Sequence, residues 1–272
     1  MSLSDLLSKS RSLSLGAVIA LGLGGGAMGC SSAAVEEQVE EEGVSVDDIT
    51  QTTDTKVKRQ SIGNCWLYAV ASWVEAINKR ATGTDLNTSE SYWTYWHWFE
   101  QLANGRASSE ISTGGSYGTA AGLIDRYGVM VEKDFIADES EAEMSNRQSS
   151  ALAAINESLK NGTLKDPAVR RDRAKVRAEL DKAWKLSPDV VTKLNAVFGA
   201  GVTRTLDRSF ASRQPGNGIL RARDLPVASF NFATNQEEKL TLKDAIGTGS
   251  FTRQGAKACL LYTSDAADER SS

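Results

Sequence analysis

The sequence is short of the residues that build metal sites, disulfide frameworks and rigid linkers. Its 272 residues include one histidine, three cysteines and four prolines. The cysteines, at positions 30, 65 and 259, lie too far apart for the C-x-x-C pairs of a zinc site, and their spacing argues against a disulfide framework. So few prolines beside 23 glycines, without an internal repeat, argue against a rigid linker or a collagen-like array. We expect no metal and no other cofactor.

The charge balance argues against nucleic acid as a partner. The formal net charge is −4, from 31 basic and 35 acidic residues, so the chain lacks the positive excess that a phosphate backbone or a polybasic membrane contact needs. Hydrophobic residues make up 40% and charged residues 24%, which is ordinary globular composition. The length allows one or two domains.

Residues 1–30 have the order of a secretory signal. Lys9 and Arg11 precede the apolar run LSLGAVIALGLGGGAMG, which ends at Cys30. The ending Ala-Met-Gly-Cys resembles a bacterial lipoprotein signal, which implies that Cys30 carries a lipid anchor to the membrane; an ordinary signal peptide cut nearby is the alternative. Ser31, where an inner-membrane lipoprotein often has Asp, favours the outer membrane of the bacterial cell envelope.

Two further segments are expected to contribute nothing to a folded core. Residues 31–56 are acidic, small and nearly free of aromatics, which predicts a disordered tether. At the other end, CLLYTSDAADE resembles the translation of a transposase adapter used in preparing sequencing libraries. We therefore expect residues 259–272, with Cys259, to be an artefact and the chain to be incomplete after Ala258.

A cysteine heads the first predicted helix. In RQSIGNCWLYAVASWVEAI, residues 59–77, apolar residues recur at three- and four-residue steps, and Gly83 supplies a stop signal. Cys65 would then lie at a helix N-terminus, where unpaired amides favour a thiolate and can stabilise a developing oxyanion. The alternative is a buried and inert cysteine.

Later segments predict further helices and one strand. Residues 165–185 predict a helix with Pro167 near its start, and residues 186–201 a shorter helix capped by Ser187 or Asp189 and ended by Gly199. The alternation in LPVASFNFATN predicts a strand, and TLKDAIGTGSF a helix. The basic cluster in residues 170–177 is interleaved with acidic residues, which favours a solvated helix face over a nucleic-acid contact.

Ordered motifs resemble the nucleophile region of papain-like cysteine peptidases. The run Gly63-Asn64-Cys65-Trp66 is similar to the family's Gly-small-Cys-Trp signature. Ser89-Glu90 resembles the pair that opens the next helix, and Gly114-Gly115 the pair that hydrogen-bonds the substrate backbone. Residues 120–135 resemble the helix and Tyr-Gly-Val turn that follow. The aromatic-rich SESYWTYWHWFEQLANG is closer to the bleomycin hydrolase branch than to papain.

This resemblance implies an α+β, papain-like fold of two lobes. Residues 57–140 would form the helical lobe, residues 141–205 a helical insertion, and residues 206–258 the start of a β-rich lobe that is mostly missing.

It also implies a thiol hydrolase of peptide bonds, a protease acting on a peptide or protein. Cys65 would be the catalytic nucleophile that forms an acyl-enzyme, and Gln60 the second oxyanion donor. Gly114, Gly115 and Trp66 would bind substrate. Gln60 precedes the cysteine by five positions where the family usually has six, which implies a shortened loop or a different donor.

The catalytic base is the part that the sequence does not supply. A cysteine peptidase needs an imidazole to hold the thiolate and to protonate the leaving amine. In papain-like enzymes it lies roughly 130–150 residues after the cysteine, a window without histidine in this sequence. His97, the only histidine, fits a packed or half-exposed aromatic-like role. We expect the catalytic His and Asn to lie beyond residue 258, and this polypeptide to be inactive as given.

Two functions remain open on the sequence. One is the lipid-anchored cysteine peptidase. The other is a non-catalytic papain-like envelope lipoprotein that binds peptides or a protein partner. Substrate preference, the choice between endopeptidase and exopeptidase, and the oligomeric state are not determined by any of these motifs.

Overall fold

The fold is known from a computed structural model that describes residues 58–142, 144–208, 218–231 and 234–247. All of them lie in one compact unit, Thr50–Ser272. The predicted signal with Cys30, the tether and the tail at 259–272 lie outside the described residues, so those expectations stay predictions.

The described chain is α+β, as the sequence predicts, with helices predominating and short antiparallel strands. In chain order the elements are α1 Cys65–Thr82, α2 Glu90–Ala103, α3 Tyr117–Tyr127, β1 Val129–Met130, α4 Glu132–Phe135, α5 Ala137–Ala142, α6 Asn146–Asn161, α7 Pro167–Arg171, α8 Arg173–Ala183, α9 Pro188–Phe198, β2 Ile219–Leu220, β3 Pro226–Asn231, β4 Gln236–Thr241 and α10 Leu242–Gly247. Within these ranges, no helix is both long and apolar enough to cross a bilayer.

The helix predicted at Cys65 is confirmed, together with its end. Gly83 adopts φ 72° and donates its N–H to the carbonyl of Lys79 at 2.7 Å, closing α1 in the left-handed conformation that glycine tolerates. One side of α1 packs against β3, and the Asn78 amide donates to the Pro226 carbonyl at 2.7 Å. The helix is thereby fixed between the strands and the rest of the core.

Helix α2 is the centre of the core. All of its residues are buried except His97 and Ala103, which are half-buried. A helix that is buried on nearly every side must be surrounded, and α2 packs against α1, α3, α4 and α8. The Trp96 ring stacks on Tyr127 at 4.0 Å between centroids and meets the edge of Phe198 at 4.9 Å.

Of the two small sheets, one joins distant parts of the chain and the other is a local hairpin. β1 pairs with β2 through Val129↔Leu220 and Met130↔Ile219, and β3 pairs with β4 in an antiparallel hairpin from Pro226↔Thr241 to Asn231↔Gln236. The strand predicted in LPVASFNFATN is confirmed as β3, and the helix predicted in TLKDAIGTGSF as α10. β4 was not predicted, because QEEKLT has no apolar alternation.

The helix predicted over residues 165–185 is wrong as a single element. Asp172 interrupts it and caps α8, accepting from the amides of Ala174 and Lys175 at 3.0 and 3.2 Å. Ser187, not Asp189, is the N-cap of α9, and Gly199 ends that helix as predicted.

The solvated face predicted for the basic cluster is wrong for Arg177. Its side chain is 2% exposed and lies over the rings of Tyr95 and Trp96, at 5.7 and 5.3 Å from their centroids. Asp181 on the same helix lies 3.6 Å from its guanidinium. A buried charge with aromatic faces and a carboxylate around it is a core residue, which the alternation of charges along the sequence does not reveal.

Gly128 should be the least replaceable glycine around α3. It has φ +74°, and a Cβ there would lie 2.3 Å from the Leu220 carbonyl oxygen. We expect Gly128→Ala to lower the free energy of unfolding by more than about 1 kcal/mol, measured by urea denaturation, because it strains the backbone and pushes β2 away.

Gly122→Ala is the matched control. Gly122 lies inside α3, and a Cβ there would meet nothing within 4 Å, so this change should raise stability by about 0.5–1 kcal/mol. Equal effects of the two substitutions would contradict the described close approach of α3 and β2.

Candidate active site

Cys65 is the first residue of α1 and carries an exposed, free thiol. Its exposure excludes the buried, inert alternative. The first amides of an α-helix have no carbonyl one turn back to receive them, so the N–H groups of the first turn surround the thiol with positive potential. A carbonyl attacked by Sγ would place its developing oxyanion near these donors.

The glycine pair predicted to bind substrate lies beside this cysteine. Trp66 donates its indole N–H to the Thr113 carbonyl at 2.9 Å, and a Cβ on Gly115 would lie 2.4 Å from Cζ2 of the same indole. On the other side of the cysteine, a Cβ on Gly63 would lie 3.3 Å from Oγ1 of Thr113. Residues 113–115 therefore run directly along the turn that carries the thiol.

Side chains from α2 hold this glycine segment in place. The Gln101 amide forms a pair of hydrogen bonds with the backbone of Ser112, at 2.8 and 2.9 Å, and Nε2 of His97 donates to the Gly114 carbonyl at 3.2 Å. The carbonyls of residues 112, 113 and 114 thus all accept from side chains, while Gly114 and Gly115 stay exposed. The role of Gln101 was not predicted, because an amide 36 residues beyond Cys65 gives no local signal.

His97 is half-buried, as predicted, and packs against Trp66, the residue after Cys65. Its ring meets the edge of Trp66 at 5.1 Å between centroids and an interplanar angle of 76°. Burial lowers its pKa, and the charge of Arg106 acts in the same direction against the bond to the Gly114 carbonyl. The neutral ring with its Nε2 proton on Gly114 anchors the loop, a role that the sequence did not indicate.

Gln60 lies on the segment that leads into Cys65, and its side chain is exposed. The residues around it are tied to the residues before α6. Ser145 donates its N–H to the Arg59 carbonyl at 3.1 Å, and the Ser61 hydroxyl donates to the Ser145 carbonyl at 2.6 Å. The backbone on both sides of Gln60 is therefore fixed, while its side chain is exposed to solvent.

A buried polar network fixes Asn64, the residue before Cys65. The Asn64 side chain is 1% exposed and donates to the Thr94 hydroxyl and to Oε1 of Gln148, both at 2.9 Å. The Gln148 amide donates in turn to the hydroxyls of Ser91 and Tyr68, at 2.9 and 3.2 Å. Because a buried amide is costly to leave unpaired, this network holds the turn at Cys65 in one geometry. Sequence reasoning missed both Asn64's partners and Gln148.

A buried ammonium anchors the start of the same segment. Lys58 Nζ lies 3.0 Å from Glu90, 3.3 Å from Glu75 and 3.7 Å from Glu132, and it donates to the Thr88 carbonyl at 2.8 Å. The segment before Cys65 therefore meets α1, α2 and α4 at one cation.

Burial and neighbouring charges raise the proton affinity of two of these carboxyl groups. Burial raises the pKa of Glu90 to about 8, with Glu75 and Glu132 adding to the shift against the attraction of Lys58. Burial likewise raises the pKa of Glu132. Burial alone would lower the pKa of Lys58, but the surrounding carboxylates outweigh it and raise it. The cluster therefore keeps its cation, while the raised pKa values of Glu90 and Glu132 let these two carboxyls hold their protons to a higher pH.

The part of the chain that the structure describes contains no candidate metal site. It holds no group of three or more His, Cys, Asp or Glu side chains placed to bind a metal ion. The three glutamates nearest one another are centred on the Lys58 ammonium instead.

Comparisons with known proteins add no relative. No model of a protein family, no curated protein and no solved structure matches this chain. The likeness to papain-like peptidases therefore rests on the motifs of the sequence alone.

Gly115→Ala should separate the Gly-Gly segment from the cysteine. Its Cβ would overlap the Trp66 indole, which must then move with the loop, whereas Gly114→Ala meets only the Ser112 hydroxyl at 3.8 Å. We expect Gly115→Ala to lower the free energy of unfolding by about 1–3 kcal/mol, the usual cost of overpacking. Urea denaturation of both variants measures this, and a Gly114→Ala loss as large as that of Gly115→Ala would contradict the contact.

The stability of the fold should fall as pH rises from about 4.5 to about 8. In this window the unfolded chain has released the Glu90 proton and the folded chain still binds it, so the free energy of unfolding decreases with pH. Glu90→Gln keeps the shape and removes that proton, so it should flatten the slope by up to about 1.4 kcal/mol per pH unit. Urea denaturation across the window measures it. Glu157→Gln, at an exposed glutamate of α6, should keep the wild-type slope; an unchanged slope in Glu90→Gln would refute the raised pKa of Glu90.

Proposed function

We propose that this chain is a cysteine-type peptidase of the papain superfamily, with Cys65 as its nucleophile. One observation carries the proposal: residues 113–115 pack against Trp66 and Gly63, on either side of an exposed thiol at a helix N-terminus. The papain-like, two-lobed architecture and the bleomycin hydrolase branch are part of the same proposal, and the motifs of the sequence support them.

The arrangement suits an extended peptide as substrate. The exposed backbone of Gly114-Gly115 can pair with a substrate main chain in the manner of an added β-strand, which aligns a scissile carbonyl with Sγ. Attack forms the S–C bond, and the oxyanion is received by the first-turn amides of α1 with Gln60 as second donor. Collapse breaks the C–N bond and releases the amine, which must take up a proton.

His97 is unsuited to donate that proton to the leaving amine. Its Nε2 proton is committed to the Gly114 carbonyl, and the ring serves the loop. We therefore infer that this polypeptide can be acylated by an ester whose leaving group needs no proton, but that it does not turn over peptides.

We further propose that the protein acts in the bacterial cell envelope as an outer-membrane lipoprotein, anchored through Cys30. The alternative function is a non-catalytic lipoprotein that holds peptides or a protein partner along Gly114-Gly115. The engagement of its only histidine in loop anchoring favours that alternative.

Acylation of Cys65 distinguishes the two. Incubation with a peptidyl p-nitrophenyl ester should release one equivalent of nitrophenolate in a burst, as Sγ replaces the phenolate oxygen at the carbonyl carbon. The acyl group should then persist, because no base activates water to remove it. Absorbance measures the burst, and peptide mapping by mass spectrometry locates the adduct.

The controls lie within the chain. Cys65→Ser should abolish the burst, and unfolding in urea should remove any preference for Cys65 over Cys259. A non-catalytic binding protein would retain the peptide without a covalent adduct on Cys65. That result, or an adduct formed equally on Cys65 and Cys259 of the folded protein, would overturn the peptidase proposal.

A further inference from the structure

A second concave site lies among α2, α3, α8 and the turn after α9. It is a cavity of about 430 Å³. It includes none of the residues assigned to the cysteine site, so the proposed peptidase chemistry leaves it unexplained. Its volume falls in the range of cavities that hold small molecules.

Positive charge dominates its wall. Four arginines from four separate parts of the chain line it, namely Arg106, Arg126, Arg173 and Arg204, against the single carboxylate of Glu100. The protein as a whole has a formal net charge of −4, so the positive charge around this cavity differs from the overall charge balance of the chain. Like charges repel, so their convergence needs a counter-charge that Glu100 alone does not supply.

Glu100 is already matched within the wall. It accepts from Arg126 at 2.6 Å and from the hydroxyl of Tyr127 and the amide of Asn104. Burial would raise its pKa, but these hydrogen bonds outweigh burial and lower it, so the carboxylate is ionised and neutralised by Arg126. The charges of the other three arginines remain for a ligand.

Two of the other three arginines also contact the protein, although Arg106 and Arg204 are exposed to solvent. Arg173 lies over the Phe99 ring at 4.7 Å, and Arg204 donates to the Asn195 carbonyl at the end of α9. A guanidinium has five N–H donors in a plane, so each keeps donors free for a second partner.

The backbone of the wall is strained at Val202. This residue lines the cavity with φ 51°, a left-handed conformation that a β-branched side chain rarely adopts. The turn is closed by hydrogen bonds from Val202 N–H to the Gly199 carbonyl and from Arg204 N–H to the Phe198 carbonyl, both 3.1 Å. Strain of this kind is kept where it positions side chains for binding, here Thr203 and Arg204.

We propose that this cavity binds a small, multiply charged oxyanion, of the phosphate-ester or polycarboxylate class. Planar guanidinium donors match the paired oxygens of both groups, and several of them together favour a ligand with more than one negative charge. Tyr127, Phe198 and Val202 add an apolar side to the site.

Calorimetric titration of the purified protein with pyrophosphate, and separately with citrate, tests this at constant ionic strength. Saturable binding of one equivalent is expected for at least one of them, and the preferred ligand identifies phosphate or carboxylate as the source. Arg106→Gln and Arg173→Gln should each weaken binding by roughly tenfold or more, since each removes a charge-assisted contact.

Arg171→Gln is the matched control. Arg171 is exposed, two positions before Arg173 and outside the cavity wall, so its removal changes the net charge equally but should leave affinity within about twofold. Far-ultraviolet circular dichroism verifies that each variant is folded. Absence of saturable binding by both anions, or equal weakening by Arg171→Gln, would show only diffuse electrostatic attraction and overturn the proposal.

Discussion

The placement of Cys65 depends on the contacts of the Lys58 ammonium. It joins the segment before Cys65 to Glu75 on α1, to Glu90 at the start of α2 and to Glu132 after β1. A buried cation without partners is very costly, and so are buried carboxylates without a cation, which means that these four pieces of chain are stable only together. The backbone that carries Gln60 and ends at Cys65 is therefore tied to the helices on both sides of it.

The aromatic helix α2 supplies the rigid support for the other half of the site. Its buried faces pack into the core, while His97 and Gln101 reach out to the backbone of residues 112–114. Because α2 is surrounded by packed rings, a loop attached to it shares its rigidity. The glycine segment is thus held against Trp66 by two anchors that lie four residues apart on one helix. A loop free to move could not keep a substrate backbone in register with the thiol.

The elements that the sequence predicted correctly are those with a local signal. The apolar period from Trp66 to Ile77, with Gly83 as its end, marked α1, and the alternation in residues 225–235 marked β3. The break at Asp172 was missed because the helical period of apolar residues continues across it. That period does not show that the Asp172 side chain caps a new helix, α8. Arg177 was misplaced because a charge inside a core depends on the rings of α2 around it.

The site divides in the same way. The cysteine, its neighbouring tryptophan and the glycine pair were identifiable as motifs, since they resemble ordered motifs of papain-like peptidases. Lys58, Gln101 and Gln148 were not, since each acts on a partner that is remote in sequence. Gln148, for example, lies 84 residues after Asn64, yet its Oε1 accepts a hydrogen bond from the Asn64 amide next to Cys65.

The sequence by itself determined that a cysteine heads an amphipathic helix, because hydrophobic period and helix stop signals act over a few neighbours. The α+β fold class was implied by the resemblance to papain-like peptidases. Only the tertiary structure decided that the thiol is exposed, that residues 113–115 lie beside it, and that His97 donates a hydrogen bond to the carbonyl of Gly114. The same is true of the four arginines that meet in one cavity. Exposure, close approach and the pairing of buried charges depend on residues far apart in the chain, and these become neighbours only when the core has formed.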